Sequence, residues 1–381
     1  MNNRNKSPLI FMIAGEKSAD NHGASIIKEI KKKNNKINFI GIGGKKMITE
    51  GLQSIENINK LSVMGFIEVI KHLFFFKKLT KKILHVINQH KPNQIILIDY
   101  PGFNLHLAKQ IKSNHNIPIT YYISPQIWAW KEGRLKTIKK HIDQMLVIFP
   151  FEKDWYEQRG FPVKYVGHPI FDDWEPTSKT ELCKLLQLNE TRPIITLYPG
   201  SRIQEINRHL PLFLEVANQI NAYDNKIQFI LGLAENLNIK KYNCPSWLKI
   251  EKRFPQKALE CGDLAIVASG TSTVEAAIFG TPMLIVYKMN LLSWWLTKIF
   301  VNVNYAGMVN IIANKEIMPE YLQNDAKANS IKNNIIKIIN NDNLLNKMKK
   351  ELLQITEKIK CENASKRAAS HIMELLEKNE F

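Results

Sequence analysis

Short apolar runs alternate along the chain with segments in which apolar residues recur at helical spacing. The runs at 9–14, 94–99 and 264–268 are continuous rather than alternating, as is typical of strands that are buried on both faces of a parallel sheet. A helical pattern follows the first run at about 21–33. This repeated order of strand, turn and helix predicts an open α/β fold.

The same alternation begins a second time after a polar stretch at 172–180. We therefore predict two Rossmann-like, doubly wound domains that face a central cleft. The first covers residues 1–172, the second covers residues 173–350, and residues 351–381 form a helical segment that packs back on the first domain. Further strands are predicted at 37–42, 117–123, 144–149, 163–166, 194–198, 227–232, 247–250 and 283–287.

The stretch at 269–282 predicts a site for a phosphate group. A buried strand is joined to a helix, predicted from Val274, by the small residues Ser269, Gly270, Thr271, Ser272 and Thr273. The first N–H groups of a helix have no partner within it, and the helix dipole favours negative charge there. Glu275, which we place in the first turn, is expected to accept hydrogen bonds from ribose hydroxyls. The alternative is an ordinary capped helix with an acidic first turn.

A second turn in the same domain supplies a cation. Gly200 and Ser201 follow the strand predicted at 194–198, and Arg202 comes next. An arginine in this position can offer its guanidinium to a diphosphate as a fork. Together the two turns predict a nucleoside-diphosphate site in the second domain. Because these groups can stabilise a leaving diphosphate, and no Asp-x-Asp motif follows a strand, we expect no metal and no cofactor.

The first domain carries candidate general bases near the ends of predicted strands. Glu16, Asp20 and His22 follow the first strand, and Asp99 ends the strand at 94–99. Ligands of open α/β sheets bind beyond the carboxyl ends of the strands, and a part-buried carboxylate there can have a raised pKa. Asp99 is our preferred base, Glu16 the second choice and His22 the third. Asp99 is also compatible with a plain N-cap or turn residue.

The positive charge is concentrated in the first half of the chain. The net charge is +18, of which residues 1–172 hold +14, with 27 Lys and Arg against 13 Asp and Glu, and residues 173–381 hold +4. This distribution indicates an anionic partner: nucleic acid, anionic lipid or a phosphorylated substrate. The lysines are dispersed and no recognised nucleic-acid module is present, so we expect no nucleic acid. A+T-rich codon usage is a competing explanation for the many Lys and Asn residues.

The cysteine and hydropathy patterns predict a cytoplasmic protein. The four cysteines are scattered, without a Cys-x-x-Cys pair or histidines at metal-ligand spacing, which favours a reducing compartment and argues against a structural zinc site. The apolar run at 9–14 is too short for the core of a signal peptide. No apolar run is long enough to span a bilayer.

The segment at 61–79 combines aromatic and basic residues in an amphipathic pattern. Phe66 and Phe74 fall on one helical face, Phe75 and Phe76 extend the apolar surface, and lysines lie beside it. Such a segment is compatible with an interfacial helix that dips into a membrane surface. By itself the pattern favours a core helix with a solvated basic edge, because amphipathic helices usually face their own core.

Seven blocks of sequence resemble one known family. They are AGEKSADNHGA at 14–24, IDYPGFN at 98–104, YISPQIWAW at 122–130, VGHP at 166–169, PGSRIQEI at 199–206, SGTSTVEAAIFGTPMLIVYK at 269–288 and VNIIANKEIMPEYLQ at 309–323. The resemblance runs over nearly the whole chain, and the blocks occur in the order found in the lipid-A-disaccharide synthases. The resemblance implies an inverting glycosyltransferase of the GT-B type, with two Rossmann-like domains.

The implied reaction belongs to the biosynthesis of lipopolysaccharide in Gram-negative bacteria. It joins a UDP-2,3-diacylglucosamine donor to a 2,3-diacylglucosamine 1-phosphate acceptor, giving the β(1→6) lipid A disaccharide 1-phosphate and UDP. Acylated substrates give the segment at 61–79 a reason to contact the anionic inner-membrane surface, and an anionic leaflet and acceptor explain the positive first half. The residues at 291–296 are a second candidate membrane contact or acyl-groove wall. A homodimer is a further hypothesis.

Matching the blocks residue by residue extends both sides of the predicted site. The donor side comprises Gly200, Ser201, Arg202, Glu205, Ser269, Gly270, Thr271, Ser272, Thr273, Glu275, Tyr287 and Asn310, and the acceptor side adds Ser18, Asp20, Asn104, Ser124 and Gln126. One departure concerns Ala19, which stands where the family's first turn usually has glycine. If that position requires a positive φ, alanine is strained and the loop with Glu16 is rearranged.

Other functions fit the same predicted scaffold. One is another UDP-sugar enzyme, either a different transferase or a UDP-N-acetylglucosamine 2-epimerase, because fold alone does not decide function. Another is a paralogue with reduced activity, which the departure at Ala19 raises. The apolar segments favour an acylated substrate, and an assay with acylated and unacylated donors would distinguish these functions.

Overall fold

The chain forms two compact units. The computed structural model describes residues 7–58, 69–235, 237–290 and 303–379. The first unit is discontinuous: it comprises the chain up to Trp174 and the chain from Ile359 onward. The second unit comprises Glu175–Lys358. Each unit contains one parallel sheet with interleaved helices, which confirms the predicted α/β fold class. Phe66 and residues 291–296 lie outside the described residues.

The first unit is built on a seven-stranded parallel sheet. Its strands are β1 Leu9–Ala14, β2 Asn38–Gly43, β3 Leu52–Asn57, β4 Gln94–Ile98, β5 Ile119–Tyr122, β6 Gln144–Val147 and β7 Lys164–Tyr165. They are arranged in the order β3-β2-β1-β4-β5-β6-β7, so the order reverses between β1 and β4, as in doubly wound folds. Every residue from Ile10 to Ala14 is fully buried, so both faces of the sheet are covered and its strands are continuous apolar runs.

Among the described residues, a helix follows each strand of the first unit. These helices are α1 Lys17–Lys33, α2 Lys45–Thr49, α3 Val69–His90, α4 Pro101–Asn114, α5 Leu135–His141, α6 Pro150–Glu157 and α7 Ile170–Asp173. Helix α1 begins four residues earlier than predicted and includes Ala19, which is buried. Because Ala19 has right-handed helical geometry, this position does not need a glycine, and alanine is a good helix former there.

The second unit repeats the arrangement with six strands. They are β8 Ile194–Tyr198, β9 Gln228–Gly232, β10 Lys249–Glu251, β11 Leu264–Ala268, β12 Met283–Tyr287 and β13 Glu320–Leu322. The order is β10-β9-β8-β11-β12-β13, with parallel pairing throughout. The strand order therefore reverses between β8 and β11, the positions that correspond to β1 and β4 of the first unit.

The last helices return the chain to the first unit. The second unit contributes α8 Lys179–Leu186, α9 Ile203–Tyr223, α10 Pro255–Cys261, α11 Thr271–Ile278, α12 Met308–Ala313, α13 Ala328–Ile339 and α14 Asp342–Ile359, and α15 Ala364–Lys378 follows. Helix α15 packs on α1, and the Asp172 carboxylate accepts hydrogen bonds from its first N–H groups, those of Ala364 and Ser365, at 2.7 and 2.6 Å. The boundary expected at residue 350 falls inside α14, so the second crossing between the units comes later, at 358–359.

Candidate functional site

The candidate bases follow two neighbouring strands of the first sheet. Strands β1 and β4 pair in parallel with Ala14 beside Ile98, so Glu16 and Asp99 follow their strands at the same edge. This edge is the point at which the strand order reverses, where ligands of doubly wound sheets bind. The topology therefore places the first two candidate bases at one ligand-binding position of the first unit.

Asp99 lies in an unusual backbone turn. Asp99 and Tyr100 have φ values of 46° and 52°, in the left-handed region that few non-glycine residues adopt. The carbonyl oxygen of Asp99 accepts hydrogen bonds from Asn104 Nδ2 at 2.7 Å and from the Tyr121 hydroxyl at 2.6 Å. Strained turns persist where the surroundings hold them, and they cluster at functional sites. Asn104, predicted on the acceptor side, is buried and supports this turn.

The residues after β1 differ in burial and in the groups that they contact. Glu16 is the N-cap residue of α1, and its carboxylate accepts a hydrogen bond from the exposed Ser18 hydroxyl at 2.9 Å. Asp20 is buried, and its Oδ1 accepts hydrogen bonds from the N–H groups of Gly44 and Met47 at 2.7 and 3.1 Å. The carboxylate of Asp20 therefore caps helix α2. This capping role explains the position of Asp20 better than a direct contact with the acceptor would.

His22 lies within α1 in surroundings that favour the neutral imidazole. Burial lowers its pKa to about 4, and its ring meets Tyr122 edge-on at a centroid distance of 6.5 Å. Burial also lowers the pKa of the nearby His168 to about 3. A group with so low a pKa is a weak general base at neutral pH, which keeps His22 behind the two carboxylates.

The loop after β5 is held by a residue that the sequence analysis missed. Ser124, predicted on the acceptor side, is buried and donates a hydrogen bond to Glu152 Oε1 at 2.7 Å, whereas Gln126 is exposed. Trp128 Nε1 donates to the same oxygen at 3.2 Å. Burial raises the pKa of Glu152 to about 7. The sequence signal was a glutamate two residues after Pro150, which also fits an ordinary helix start.

The predicted donor residues follow the corresponding strands of the second sheet. Strands β8 and β11 pair in parallel with Tyr198 beside Val267. The turns at 199–202 and 269–273 therefore lie at the same edge, again where the strand order reverses. The structure brings the predicted cation and the predicted helix N-terminus together at one ligand-binding position of this unit.

The turn before α9 is shaped by a carboxylate. Gly200 has a φ of 113°, and a side chain there would collide with the Glu205 carboxylate. Glu205 Oε2 accepts hydrogen bonds from the N–H groups of Ser201 and Arg202 at 2.8 and 3.1 Å, so its observed role is to hold the turn. The Arg202 side chain is 64% exposed, with Nη1 3.7 Å from Glu205 Oε1. The guanidinium is accessible to an anion.

The turn before α11 offers backbone N–H groups, while three of its hydroxyls are engaged within the unit. Helix α11 begins at Thr271, after Gly270, which has a φ of 133°. The hydroxyls of Ser269, Ser272 and Thr273 donate to backbone carbonyls of the same unit at 2.6, 2.6 and 2.8 Å. The N–H groups of Thr271 and Ser272 are the first two of the helix and have no partner within it. N–H groups in such a position favour an anion.

Glu275 occupies a different turn of α11 from the one predicted. Because the helix begins at Thr271, Glu275 is its fifth residue, and the placement in the first turn is wrong. Its Oε2 accepts a hydrogen bond from the Tyr198 hydroxyl at 3.3 Å, and burial raises its pKa to about 7. The additional turn places the carboxylate away from the first N–H groups, which reduces its repulsion of a bound phosphate.

Asn310 is engaged within the fold. Its Nδ2 donates to the Met318 carbonyl and to Glu320 Oε1, both at 2.8 Å, and its Oδ1 accepts from the N–H groups of Ile317 and Met318, both at 2.9 Å. These four bonds use the full capacity of an amide side chain. The structure therefore gives Asn310, predicted as a donor ligand, a supporting position.

A buried histidine links the two ends of the donor side. His209 Nδ1 lies 3.2 Å from the carbonyl oxygen of Pro199, and Nε2 accepts the N–H of Lys288 at 3.1 Å. These bonds assign the proton to Nδ1, and burial lowers the pKa of His209. The half-buried Tyr287 lies beside it, with a centroid distance of 6.2 Å. His209 was not among the residues predicted from the sequence, because a histidine inside a helix gives no local sign of the backbone groups that it contacts.

Comparison with known proteins identifies the family of this chain. Residues 10–373 match the family model described as lipid-A-disaccharide synthetase. The chain belongs to the lipid-A-disaccharide synthase family. As a member, it is a glycosyltransferase of lipid A biosynthesis, and the family uses a UDP-sugar donor and a sugar acceptor.

Relatives over the full length support the same membership. A lipid-A-disaccharide synthase of Geobacter sulfurreducens is 36% identical over 98% of this chain and 99% of its own length. Lipid-A-disaccharide synthase 1 of Legionella pneumophila, strain Lens, is 38% identical over 93% of this chain and 94% of its own length. Identity at this level over nearly the whole length favours the synthase over the other UDP-sugar enzymes considered from the sequence.

Solved structures with the same fold are distant in sequence. The MnaA-UDP structure from S. aureus superposes with a TM-score of 0.69 at 11% identity, covering 97% of both chains. MurG of Acinetobacter baumannii superposes with a TM-score of 0.54 at 14% identity, covering 98% of this chain and 99% of its own. These similarities support the GT-B fold, as expected for a member of the synthase family.

The aromatic helix of this family member is only partly available to a surface. Phe74 of α3 is 73% exposed, and Lys77 and Lys78 beside it are exposed. Phe75 and Phe76 instead pack against the core of the unit, with the rings of Phe76 and Phe103 at 5.1 Å. Across the described ranges, no helix has both the length and the apolar character that crossing a membrane requires.

Proposed function

We propose that the chain transfers the sugar of UDP-2,3-diacylglucosamine to the 6-hydroxyl of 2,3-diacylglucosamine 1-phosphate. The products are the β(1→6)-linked disaccharide 1-phosphate and UDP. The observation that carries the proposal is the donor side of the second unit. There, the exposed Arg202 guanidinium and the first N–H groups of α11 follow paired strands at the point where the strand order reverses.

The donor would bind through charge at one end and hydrogen bonds at the other. Arg202 and the N–H groups of Thr271 and Ser272 contact the diphosphate, where they stabilise the charge that develops as UDP leaves. Glu275 accepts hydrogen bonds from the ribose hydroxyls. Glu205, His209 and the other engaged side chains hold these groups in place without touching the donor.

The role of Glu275 predicts a pH dependence of donor binding. Only the ionised carboxylate offers all its lone pairs to ribose hydroxyls, and the pKa of Glu275 is raised to about 7 by burial. The Kd of the donor should therefore rise as the pH falls through 7, by about tenfold between pH 8 and pH 6. Calorimetry across this range measures the effect.

Glu275→Gln serves as the control for this prediction. The amide does not titrate, so Kd in that variant should be weak and nearly constant with pH. The same tenfold change in Glu275→Gln would assign the titration to another group.

The acceptor would react at the first unit. The 6-hydroxyl oxygen attacks the anomeric carbon of the donor from the face opposite UDP, and the bond between that carbon and the phosphate oxygen breaks. UDP leaves with the electron pair, and the hydroxyl proton passes to the Asp99 carboxylate. Glu16, at the same sheet edge, is the alternative base.

Membrane association would bring the protein to its acylated substrates. Phe74 projects from a helix with neighbouring lysines, a combination that favours the surface of an anionic membrane. Phe74→Ser should lower the partition coefficient onto vesicles with anionic lipid by about 10- to 100-fold, because burying one phenylalanine is worth roughly 1.5–3 kcal/mol. Sedimentation with such vesicles measures it.

Leu353→Ser is the matched control, since Leu353 is an exposed apolar residue of α14 in the other unit. It should bind vesicles like the wild type. Equal binding by Phe74→Ser and wild type would show that Phe74 does not enter the membrane surface.

The reaction itself is tested with the purified full chain and both diacylated substrates. We expect UDP release and a phosphorylated disaccharide product of inverted anomeric configuration. Incubation with UDP-N-acetylglucosamine alone tests the epimerase function, and formation of the 2-epimer would support it. Release of UDP with an unacylated acceptor, at a rate equal to that with the acylated one, would contradict the lipid substrate.

A further inference from the structure

We propose that Glu152 is a positioning residue for acceptor binding, which it governs by holding the loop after β5, residues 123–131, in one shape. This inference rests on the proposed function, because it assigns that loop to the acceptor. No reacting atom needs to touch Glu152 for this role.

The two oxygens of Glu152 serve different elements. Oε2 accepts the N–H groups of Ile148 and Phe149 at 3.2 and 3.1 Å, which is the ordinary task of a glutamate near a helix start. Oε1 accepts the Ser124 hydroxyl at 2.7 Å and Trp128 Nε1 at 3.2 Å. A helix cap does not need the second pair of bonds. That pair connects α6 to the loop after β5.

The backbone of the loop requires such support. Ile123 has a φ of 65°, and a β-branched residue in the left-handed region is a strained outlier. Strain of this kind persists only where surrounding contacts determine the conformation. Ser124, the next residue, is 4% exposed and bonded to Glu152. Glu152 thus acts directly beside the strained residue.

The position of the loop connects it with the candidate base. Strand β5 pairs with β4 on one side and β6 on the other, so the loop follows the strand next to the Asp99 turn. Tyr121, two residues before Ile123, donates its hydroxyl to the Asp99 carbonyl at 2.6 Å. A movement of the loop at Ser124 would therefore occur next to Asp99, the candidate base that must contact the acceptor hydroxyl.

The far end of the loop fits a phosphorylated sugar. Trp130 is 43% exposed, and Lys131 Nζ lies 4.2 Å from its ring centroid, with Arg134 Cζ at 5.8 Å. An exposed indole can lie against the apolar face of a sugar ring, and two neighbouring cations favour a phosphate monoester. The loop therefore presents groups that suit a phosphorylated sugar acceptor.

Glu152→Gln separates the helix cap from the loop. With its amide oxygen toward Ile148 and Phe149, the glutamine keeps the cap, and its NH₂ group can donate to the Ser124 hydroxyl. The indole N–H of Trp128 is a donor only, so the amide faces it donor to donor. We expect the KM for the acceptor to rise about tenfold, with the KM for the donor within about twofold of wild type.

Trp128→Phe provides the second arm of a double-mutant cycle. Phenylalanine has no N–H to oppose the amide, so Glu152→Gln should raise the acceptor KM by less than about threefold in that background. Glu157→Gln is the matched control, since Glu157 is an exposed carboxylate of the same helix, and it should leave both KM values unchanged. Ser124→Ala, which does not alter the cap, should raise the acceptor KM about threefold.

The outcomes distinguish this inference from the function on which it rests. Absence of turnover by the wild type with the diacylated acceptor would overturn the proposed function. Normal wild-type turnover, with an unchanged acceptor KM in both Glu152→Gln and Ser124→Ala, would overturn only the positioning role. So would equal rises in donor and acceptor KM, or an equal effect of Glu152→Gln in both backgrounds, because a general loss of structure would produce them. If Glu152→Gln does not fold, the acceptor KM of Ser124→Ala decides.

Discussion

Asp99→Asn is expected to lower kcat by roughly 10²-fold or more, the range for a lost general base, while UDP still binds. The carboxylate follows β4 at the edge where the strand order of the first unit reverses. An amide of the same shape has no basic lone pair for the hydroxyl proton. The loss should therefore appear in kcat rather than in the KM of the donor.

The substitution is also mild for the fold. Asp99 has a φ of 46°, and asparagine is one of the few residues that tolerate this region. The bonds from Asn104 and Tyr121 go to the backbone carbonyl, so they survive the change. Thermal unfolding should remain close to that of the wild type, which separates loss of the base from loss of structure.

Two further variants complete this test. Asp154→Asn makes the same change at an exposed position of α6 and should leave kcat unaltered. Glu16→Gln tests the alternative at the same sheet edge. A nearly normal kcat in Asp99→Asn, beside an inactive Glu16→Gln, would move the base to Glu16.

Arg202→Ala is expected to lower kcat/KM by about 30- to 1000-fold, which corresponds to roughly 2–4 kcal/mol of transition-state stabilisation for one preorganised donor. The side chain is 64% exposed, so its removal should not disturb the core. Glu205 continues to hold the turn, because its bonds go to the backbone N–H groups of Ser201 and residue 202. Steady-state kinetics with the donor varied measures the loss.

The size of the loss depends on charge and on geometry. Arg202→Lys keeps the charge without the planar fork and should fall between the wild type and the alanine variant. Arg192→Ala removes an exposed arginine before β8, at the opposite end of the same strand, and should be neutral. If Arg202→Ala turns over like the wild type, the leaving diphosphate is stabilised elsewhere.

The sequence alone determined the fold class and most of the strands. The observed β1, β8, β11 and β12 have the predicted bounds, because a strand buried on both faces must be a continuous apolar run, and this signal is local. The two missed strands, β3 and β13, lie at sheet edges. An edge strand is partly exposed and its polar residues remove the pattern, so β3, with the sequence LQSIEN, has no continuous run.

The motifs also predicted where ligands would bind. The sequence identified the strand ends that lie next to Glu16, Asp99, Gly200 and Ser269. Parallel pairing then brings the ends of β1 and β4 together, and likewise those of β8 and β11. The resemblance of the blocks to the synthases was confirmed by the family match over residues 10–373.

Only the tertiary structure decided which polar side chains are used to hold the backbone. Asp20 caps a helix 24 to 27 residues away, and Glu152 binds residues 24 and 28 positions before it. Glu205 and Asn310 are likewise engaged within the second unit. From the sequence, Asp20, Glu205 and Asn310 were predicted to bind ligands, whereas Glu152 was not singled out. These partners of Asp20 and Glu152 are distant along the chain and leave no local pattern, while those of Glu205 lie only three and four residues away. A hydrogen bond satisfied by folding is visible only once the fold brings its two groups together.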